Sequence, residues 1–269
     1  MSKKFWNFYA SGLDSVYHEQ GNFSPEYYRM KLALRYLKNK DLRNIVDIGC
    51  GTGKFLSLCT GFDKKIGIDF SDRMIYIAKK KYRDIDFSCD SLLTFNTNEK
   101  FDVVSAFSVL PYIKNEKSAY LKIKKLLKPN GIFIASYPNI VFNYFTNNNY
   151  THKFMDEVFY DYLDNRKLKN EELSSINKKI KAILPVNSAR GKIFLREENP
   201  LIINEKISKY GFLVIKKYFL NIHPVRPATM QKFNITKSHP LYIKLQSKLK
   251  ENWRGIFLGS TFMVICKKQ

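Results

Sequence analysis

Apolar residues along this chain come in short blocks, and amphipathic stretches separate the blocks. Residues 44–49 (NIVDIG), 64–70 (KKIGIDF), 85–90 (IDFSCD), 101–110 (FDVVSAFSVL) and 132–138 (IFIASYP) read as strands. Between them, residues 52–61, 72–82 and 116–131 carry helical spacing, the last stopped by Pro129 and Gly131. Residues 24–39 predict an earlier helix, with Ser24 as N-cap and Pro25 at the first helical position. The alternation predicts an α/β domain built on a doubly wound parallel sheet, with helices on both faces. Its strands are nearly continuous in apolar residues, as burial on both faces requires.

The rhythm stops after residue 138. Residues 139–198 are polar, aromatic and irregular, with one predicted helix near 168–184. It resumes with a helix over 199–212 and two more strands, 212–220 (FLVIKKYFL) and 260–268 (STFMVICKK). Nothing has the composition of a linker. The chain therefore reads as a single domain, 1–269. Its parts are N-terminal lid helices (1–40), a ligand-binding core (41–138), an insertion after strand 5 (139–198) and a C-terminal helix with strands 6 and 7 (199–269).

The sharpest local pattern is IVDIGCGTGKF, a D-x-G-x-G-x-G run made by Asp47, Gly49, Gly51 and Gly53 between a strand and a helix. Glycines allow positive φ and let a ligand approach the backbone, and helix N-terminal amides face that ligand. A dinucleotide fingerprint reads G-x-G-x-x-G instead. Asp47, two residues before the first glycine, is awkward beside a pyrophosphate and suits a ligand with an amino group. Asp69 ends the second strand, where two carboxylate oxygens can hold both ribose hydroxyls. Asp90 ends the third, where it can accept from an exocyclic amine such as adenine N6.

This set resembles the class I S-adenosylmethionine-dependent methyltransferases with a Rossmann-like sheet, and among them the bacterial small-molecule and glycan O-methyltransferases. DIGCGTG resembles their first motif, GIDFSDRMI their acidic second-strand motif, CDSL their third, FDVVSAFSVLPYI their fourth and LLKPNGIFIAS their fifth. The resemblance covers roughly residues 25–138 and the last two strands. It implies a seven-stranded fold and S-adenosyl-L-methionine as cofactor. Asp47, Gly49, Gly51 and Gly53 would cradle the amino-acid end, Asp69 the ribose, Phe70 and Met74 the adenine faces, and Asp90 with Ser91 the adenine edge. Phe107 would lie under the methionyl part. Tyr17 and Arg29 would reach the cofactor from the lid, Arg29 at its carboxylate.

The methyl acceptor is less legible. Nucleobase N-methyltransferases carry a [DN]-P-P-[YF] run directly after strand four, whereas the aligned residues here are Ala106–Val109. Leu110-Pro111-Tyr112 falls later and reads as a helix start. Many small-molecule enzymes of the class read V-L-H-H where this chain has Val109-Leu110-Pro111-Tyr112. Residues beyond strand five supply the remaining candidates. Tyr137 and His223 are the candidate catalytic groups; Asn139, Tyr144, Arg190 and Arg226 are candidate acceptor ligands, with Asn143, Lys192 and Arg196 near them. Arg226 lies three residues from His223 between Pro224 and Pro227, and its guanidinium suits a phosphate or carboxylate.

Charge and cysteine content change this picture modestly. The formal net charge of +22 fits an anionic acceptor, nucleic acid or an acidic surface. The lysines are dispersed, as on a solvated surface. The four cysteines are scattered without a C-x-x-C pair, so neither a disulfide framework nor a metal site is expected, and a cytoplasmic setting fits. No apolar run is long enough to span a membrane, and no secretory signal is indicated. The leading expectation is O-methylation of a small phosphorylated, nucleotide-linked or sugar-containing acceptor, such as a glycan precursor. Methylation of RNA or protein through the basic surface is the second, and a non-catalytic, cofactor-binding assembly protein the third.

Overall fold

The computed structural model describes residues 3–13, 24–145, 195–223 and 240–269. In chain order the elements are α1 (Lys3–Leu13), α2 (Pro25–Leu37), β1 (Asn44–Ile48), α3 (Lys54–Leu58), β2 (Lys64–Asp69), α4 (Asp72–Lys81), β3 (Asp86–Cys89) and β4 (Phe101–Phe107). A 3-10 turn at Leu110–Tyr112 precedes α5 (Glu116–Leu126), β5 (Leu127–Pro138) and α6 (Ile140–Phe145). The chain ends with α7 (Ile203–Ser208), β6 (Phe212–Ile222), α8 (Pro240–Leu249), α9 (Gly255–Leu258) and β7 (Gly259–Lys268). The helix expected near 168–184 lies outside the described residues.

The seven strands form one sheet in the order β3-β2-β1-β4-β5-β7-β6. The first five pair in parallel; β7 is antiparallel to both β5 and β6. The sheet is therefore mixed, where the sequence pattern suggested a parallel one. β7 enters between two strands and is buried on both faces, so its composition copies that of a parallel core strand.

Alternation along the strands splits the core in two. Val46, Val104, Phe133, Ala135 and Tyr137 face α5 and α7, with Phe262 and Val264. Their neighbours Ile45, Val103, Ile132, Ile134, Met263 and Ile265 face α2, α3 and α4. Helices thus cover both faces, as the blocks of apolar residues required.

Some elements differ from the sequence reading. Helix α5 stops at Leu126 instead of running to Gly131, because Pro129 disfavours helical geometry at Lys128 and Leu127 is already extended (φ −81°, ψ 141°). Strand β4 ends at Phe107, since Ser108 takes φ 56° and turns the chain. Helix α8 went unpredicted. Its buried stripe of Tyr242 and Leu249 is interrupted by Gln246, which caps the sheet edge: its side chain accepts from Ile222 N at 3.0 Å and donates to Phe219 O at 3.0 Å. No described helix is long and apolar enough to cross a membrane.

The glycine loop between β1 and α3 is sterically determined. Gly49 has φ +68°, and a Cβ there would meet Val109 Cγ2 at 2.3 Å; at Gly53 (φ +82°) it would meet Phe87 Cζ at 2.6 Å. Gly61 shares the left-handed backbone (φ +79°), but nothing lies within 4 Å of its Cβ position. Gly61→Ala is expected to cost about 1 kcal/mol, the backbone term alone. Gly49→Ala adds a clash and is expected to cost about 2–4 kcal/mol. Urea denaturation of both variants measures the difference, and equal losses would contradict the packing argument.

Candidate functional site

The C-terminal ends of β1, β2, β4 and β5 lie side by side, and the polar groups that the sequence singles out gather there. Asp69, at the tip of β2, is the structural centre. Its Oδ2 accepts from Gly51 N at 3.0 Å and its Oδ1 from Ser71 N at 2.9 Å, tying the glycine loop to the start of α4. Burial raises its carboxyl pKa, and the two amides pull it back in part. Each oxygen keeps a further lone pair for a ligand hydroxyl.

Asp47 is buried beneath the loop, where Ser105 Oγ donates to its Oδ1 at 2.7 Å. Burial pushes its carboxyl up to about 7; Ser105 and the Arg29 charge oppose this, and Asp69 adds to it. A ligand ammonium would find here a carboxylate that lacks water and needs a counter-charge.

Arg29 reaches the same edge from α2. Its Nη1 donates to Ser108 Oγ at 2.9 Å and to Ser136 Oγ at 3.1 Å, and its guanidinium lies 4.9 Å from the centre of the Phe107 ring. Phe107 in turn packs edge-on against Phe55 at 4.8 Å. Ser108 N donates to Ser136 Oγ at 3.0 Å, and the two hydroxyls lie 3.3 Å apart. One hydroxyl proton bridges that pair; the other has no acceptor among the described residues. Since Ser136 is fully buried, the half-buried Ser108 is the hydroxyl able to turn to a ligand.

At the third strand, Asp90 is half-buried; its Oδ1 accepts from Ser91 N at 2.8 Å and from the Thr94 hydroxyl, leaving Oδ2 outward. Phe70 is half-buried beside Asp69, whereas Met74 is buried on α4. Phe70 and Asp90 thus lie along the tips of β2 and β3, while Met74, expected at an adenine face, is part of the core. Tyr17 lies outside the described residues.

The acceptor-side candidates fare differently. Tyr137 is fully buried, its hydroxyl 2.9 Å from that of Tyr120 and its ring 5.5 Å from that of Phe262. It faces α5, away from Arg29, because side chains alternate and Ser136 takes the other face. The catalytic role expected of Tyr137 is corrected to a core role. Asn139 is also buried and fully engaged: its Nδ2 donates to Ile256 O at 2.7 Å and Gly259 O at 2.8 Å, and its Oδ1 accepts from Val141 N at 3.0 Å. It holds β5 to β7 instead of facing an acceptor.

Arg196 is likewise internal. It pairs with Glu198 at 2.8 Å and Glu116 at 3.5 Å, and Lys206 meets the same two carboxylates at 2.7 and 2.8 Å. This cluster fixes residues 195–198 beside the turn after β4. His223 ends β6 on the same edge as the site, half-buried with its ring 4.9 Å from that of Phe142. Three strand spacings of roughly 4.8 Å put it on the order of 14 Å from the line of β4. Arg190, Arg226 and the side chain of Tyr144 lie outside the described residues.

Sequence reasoning missed Ser71, Ser105, Ser108 and Ser136, and although it expected N-terminal lid helices it named Tyr17 and Arg29 there, not Trp6 or Asn7 of α1. That helix lies across the strand tips. Asn7 accepts from Ser71 Oγ at 2.6 Å and donates to Asp72 Oδ1 at 2.8 Å, while Trp6 packs edge-on against Tyr112 at 5.7 Å. A groove of about 660 Å³ between α1 and α4 is lined by Asn7, Phe8, Asp72, Arg73, Tyr76 and Ile77, none of them from the glycine loop.

The strand order, the glycine loop and the acids at three strand tips define a class I S-adenosylmethionine-dependent methyltransferase fold, and the donor set fits that cofactor: acids for its amine and ribose, Arg29 for its carboxylate. The chain belongs to the methyltransferase-domain family, whose model matches residues 39–192. It is 31% identical over 128 residues to a protein named as a methyltransferase, 235L of Invertebrate iridescent virus 6, covering 46% of this chain and 44% of that one. It is 33% identical over 100 residues to the ubiquinone biosynthesis O-methyltransferase of Rhodopseudomonas palustris strain HaA2, covering 34% and 38%. The chain thus spans about half or less of the curated relatives it matches. Magnesium protoporphyrin IX methyltransferase of Synechocystis, solved with S-adenosylhomocysteine, shares the fold at TM-score 0.56 and 14% identity over 99% of each chain.

Asp47 provides a test of sign. Its folded pKa of about 7 lies above the ordinary 3.8. Its stabilising contribution is therefore complete below pH 3.8 and lost as pH rises through 7. Ligand-free Asp47→Asn is expected to match the wild type near pH 4 and to exceed it at pH 8 by up to about 4 kcal/mol. Its affinity for S-adenosylhomocysteine at pH 8 is expected to fall. Denaturation at both pH values, with calorimetry at pH 8, measures the trade.

Proposed function

We propose that this protein transfers a methyl group from S-adenosylmethionine to an oxygen of a small anionic acceptor, phosphorylated, nucleotide-linked or sugar-containing, as in the building of a glycan. The observation that carries the methyltransferase reading is Asp69, a buried carboxylate at the tip of β2 braced by Gly51 and Ser71 amides. Bound, the cofactor supplies a methyl on a sulfonium, activated for in-line displacement. The protein's task is then alignment. Asp47 and Arg29 hold opposite charges of the amino-acid end, Asp69 orients the ribose and Asp90 the adenine edge. Phe107 and Phe55 keep water from the face below.

An oxygen acceptor is supported by the ubiquinone O-methyltransferases among the relatives, matched over part of their length. An anionic one is supported by the net charge of +22. His223 serves in this reading as an orienting contact to the far part of an extended acceptor, with Arg226, Arg190 and Tyr144 as partners. The same charge favours a second reading, RNA or protein as acceptor.

Calorimetry with S-adenosylhomocysteine is expected to show binding, and Asp69→Ala to weaken it by two hydroxyl contacts at about 1.5–3 kcal/mol each. Wild-type protein without measurable binding would remove the proposal. Methyl incorporation from labelled cofactor into a panel of sugar nucleotides, sugar phosphates and phenolic acids tests the acceptor. A salt-sensitive RNA gel shift, with RNA labelled in place of the panel, would favour the second reading.

A further inference from the structure

Helix α1 lies at the mouth of the site, where its adjacent residues Trp6 and Asn7 meet segments that follow different strands. On one side Asn7 holds Ser71 and Asp72, just beyond β2, and Lys3 pairs with Asp72 at 3.2 Å. On the other, Trp6 meets Tyr112, beyond β4. Strand β1 lies between β2 and β4. The side chains of two adjacent residues thus reach the chain beyond β2 and the chain beyond β4, which sets this turn of α1 beside the β1 tip, where Gly49, Gly51 and Gly53 form the loop.

Trp6 has a property that its neighbours on α1 lack. Its indole Nε1 is buried and has no hydrogen-bond partner among the described residues. Indole N–H only donates, and a buried donor is normally satisfied. The ring is held by three others: Tyr112 at 5.7 Å, Phe5 at 5.3 Å and Tyr9 at 6.2 Å. Its orientation is thus fixed by packing before any ligand arrives. A buried donor held beside the tip of β1, with no acceptor among the described residues, fits an oxygen of whatever the glycine loop binds.

We infer that Trp6 is a cofactor-contacting residue, its N–H donating to an oxygen of the bound cofactor, and that Asn7 is a positioning residue which seats α1 through Ser71. Asn7 suits this role because Ser71 already caps α4, accepting from Met74 N at 3.2 Å. The lid is thereby referenced to the same turn that Asp69 braces. The inference rests on the cofactor reading above and assigns a residue that the glycine-loop motif does not contain.

The chain has two tryptophans, Trp6 and Trp253, and Trp253 is 60% exposed in the turn before α9. The Trp253→Phe variant isolates Trp6 emission without touching the site. Titration with S-adenosylhomocysteine is expected to change that emission in step with calorimetric binding. Trp6→Phe keeps the ring but removes the N–H, and is expected to weaken binding about tenfold. Asn7→Ala is expected to weaken it less and to shrink the Trp6 emission response. Wild-type protein that binds no S-adenosylhomocysteine would defeat the cofactor reading itself. Binding that persists with silent Trp6 emission, or with unchanged affinity in a folded Trp6→Phe variant, would overturn the assignment of Trp6 alone.

Discussion

One carboxylate organises the mouth of this molecule. Asp69 takes a backbone amide from the β1 loop on one oxygen and from the α4 turn on the other. Two loops that belong to different βα units are thereby held to one another. The curvature that lets Gly51 N reach Asp69 depends on positive φ at Gly49, Gly51 and Gly53. Ser71, placed by the same bond, caps α4 and donates to Asn7 of α1. A buried carboxylate with fixed amide donors loses little in keeping its remaining lone pairs ready, because no reorganisation is needed when hydroxyls arrive.

The neighbouring Asp47 shows the cost of such a site. It is buried with Ser105 bonded to it, near Arg29 and Asp69, and its carboxyl resists ionisation. Folding without ligand gains nothing from that charge. A ligand with an ammonium and a carboxylate would match Asp47 and Arg29 in one step, so the strain is relieved by binding. Functional sites commonly carry destabilising groups that other parts of the fold offset. Here the offset is the two-sided core on which the strand tips stand.

The acceptor side is built on a different principle. Around the end of β5, the described polar groups serve assembly. Asn139 holds the β5–β7 junction, and Glu116, Glu198, Arg196 and Lys206 hold residues 195–198 to the turn after β4. Glu198 N donates to Pro138 O at 3.0 Å and Ile140 N to Glu198 O at 3.1 Å, so the insertion leaves and returns at adjacent points. Asn139 and Arg196, which the sequence placed near an acceptor, are held in this frame.

The polar groups gathered at the strand tips were legible because their placement is local. Asp47, the glycines, Asp69 and Asp90 each sit at a strand tip, and apolar blocks locate strand tips well. The strand count follows from the same blocks. What only the tertiary structure decided are facts about faces and partners. A one-residue step along β5 separates Ser136, bonded to Arg29, from Tyr137, buried under α5; alternation makes the choice, and sequence does not say which face is which. The antiparallel course of β7 was hidden because burial on both faces gives either direction the same composition. Helix α8 was hidden because Gln246, polar in sequence, is buried to satisfy the backbone of an edge strand. The place of Trp6 was hidden because its contact with Tyr112, more than a hundred residues away, exists only in the fold.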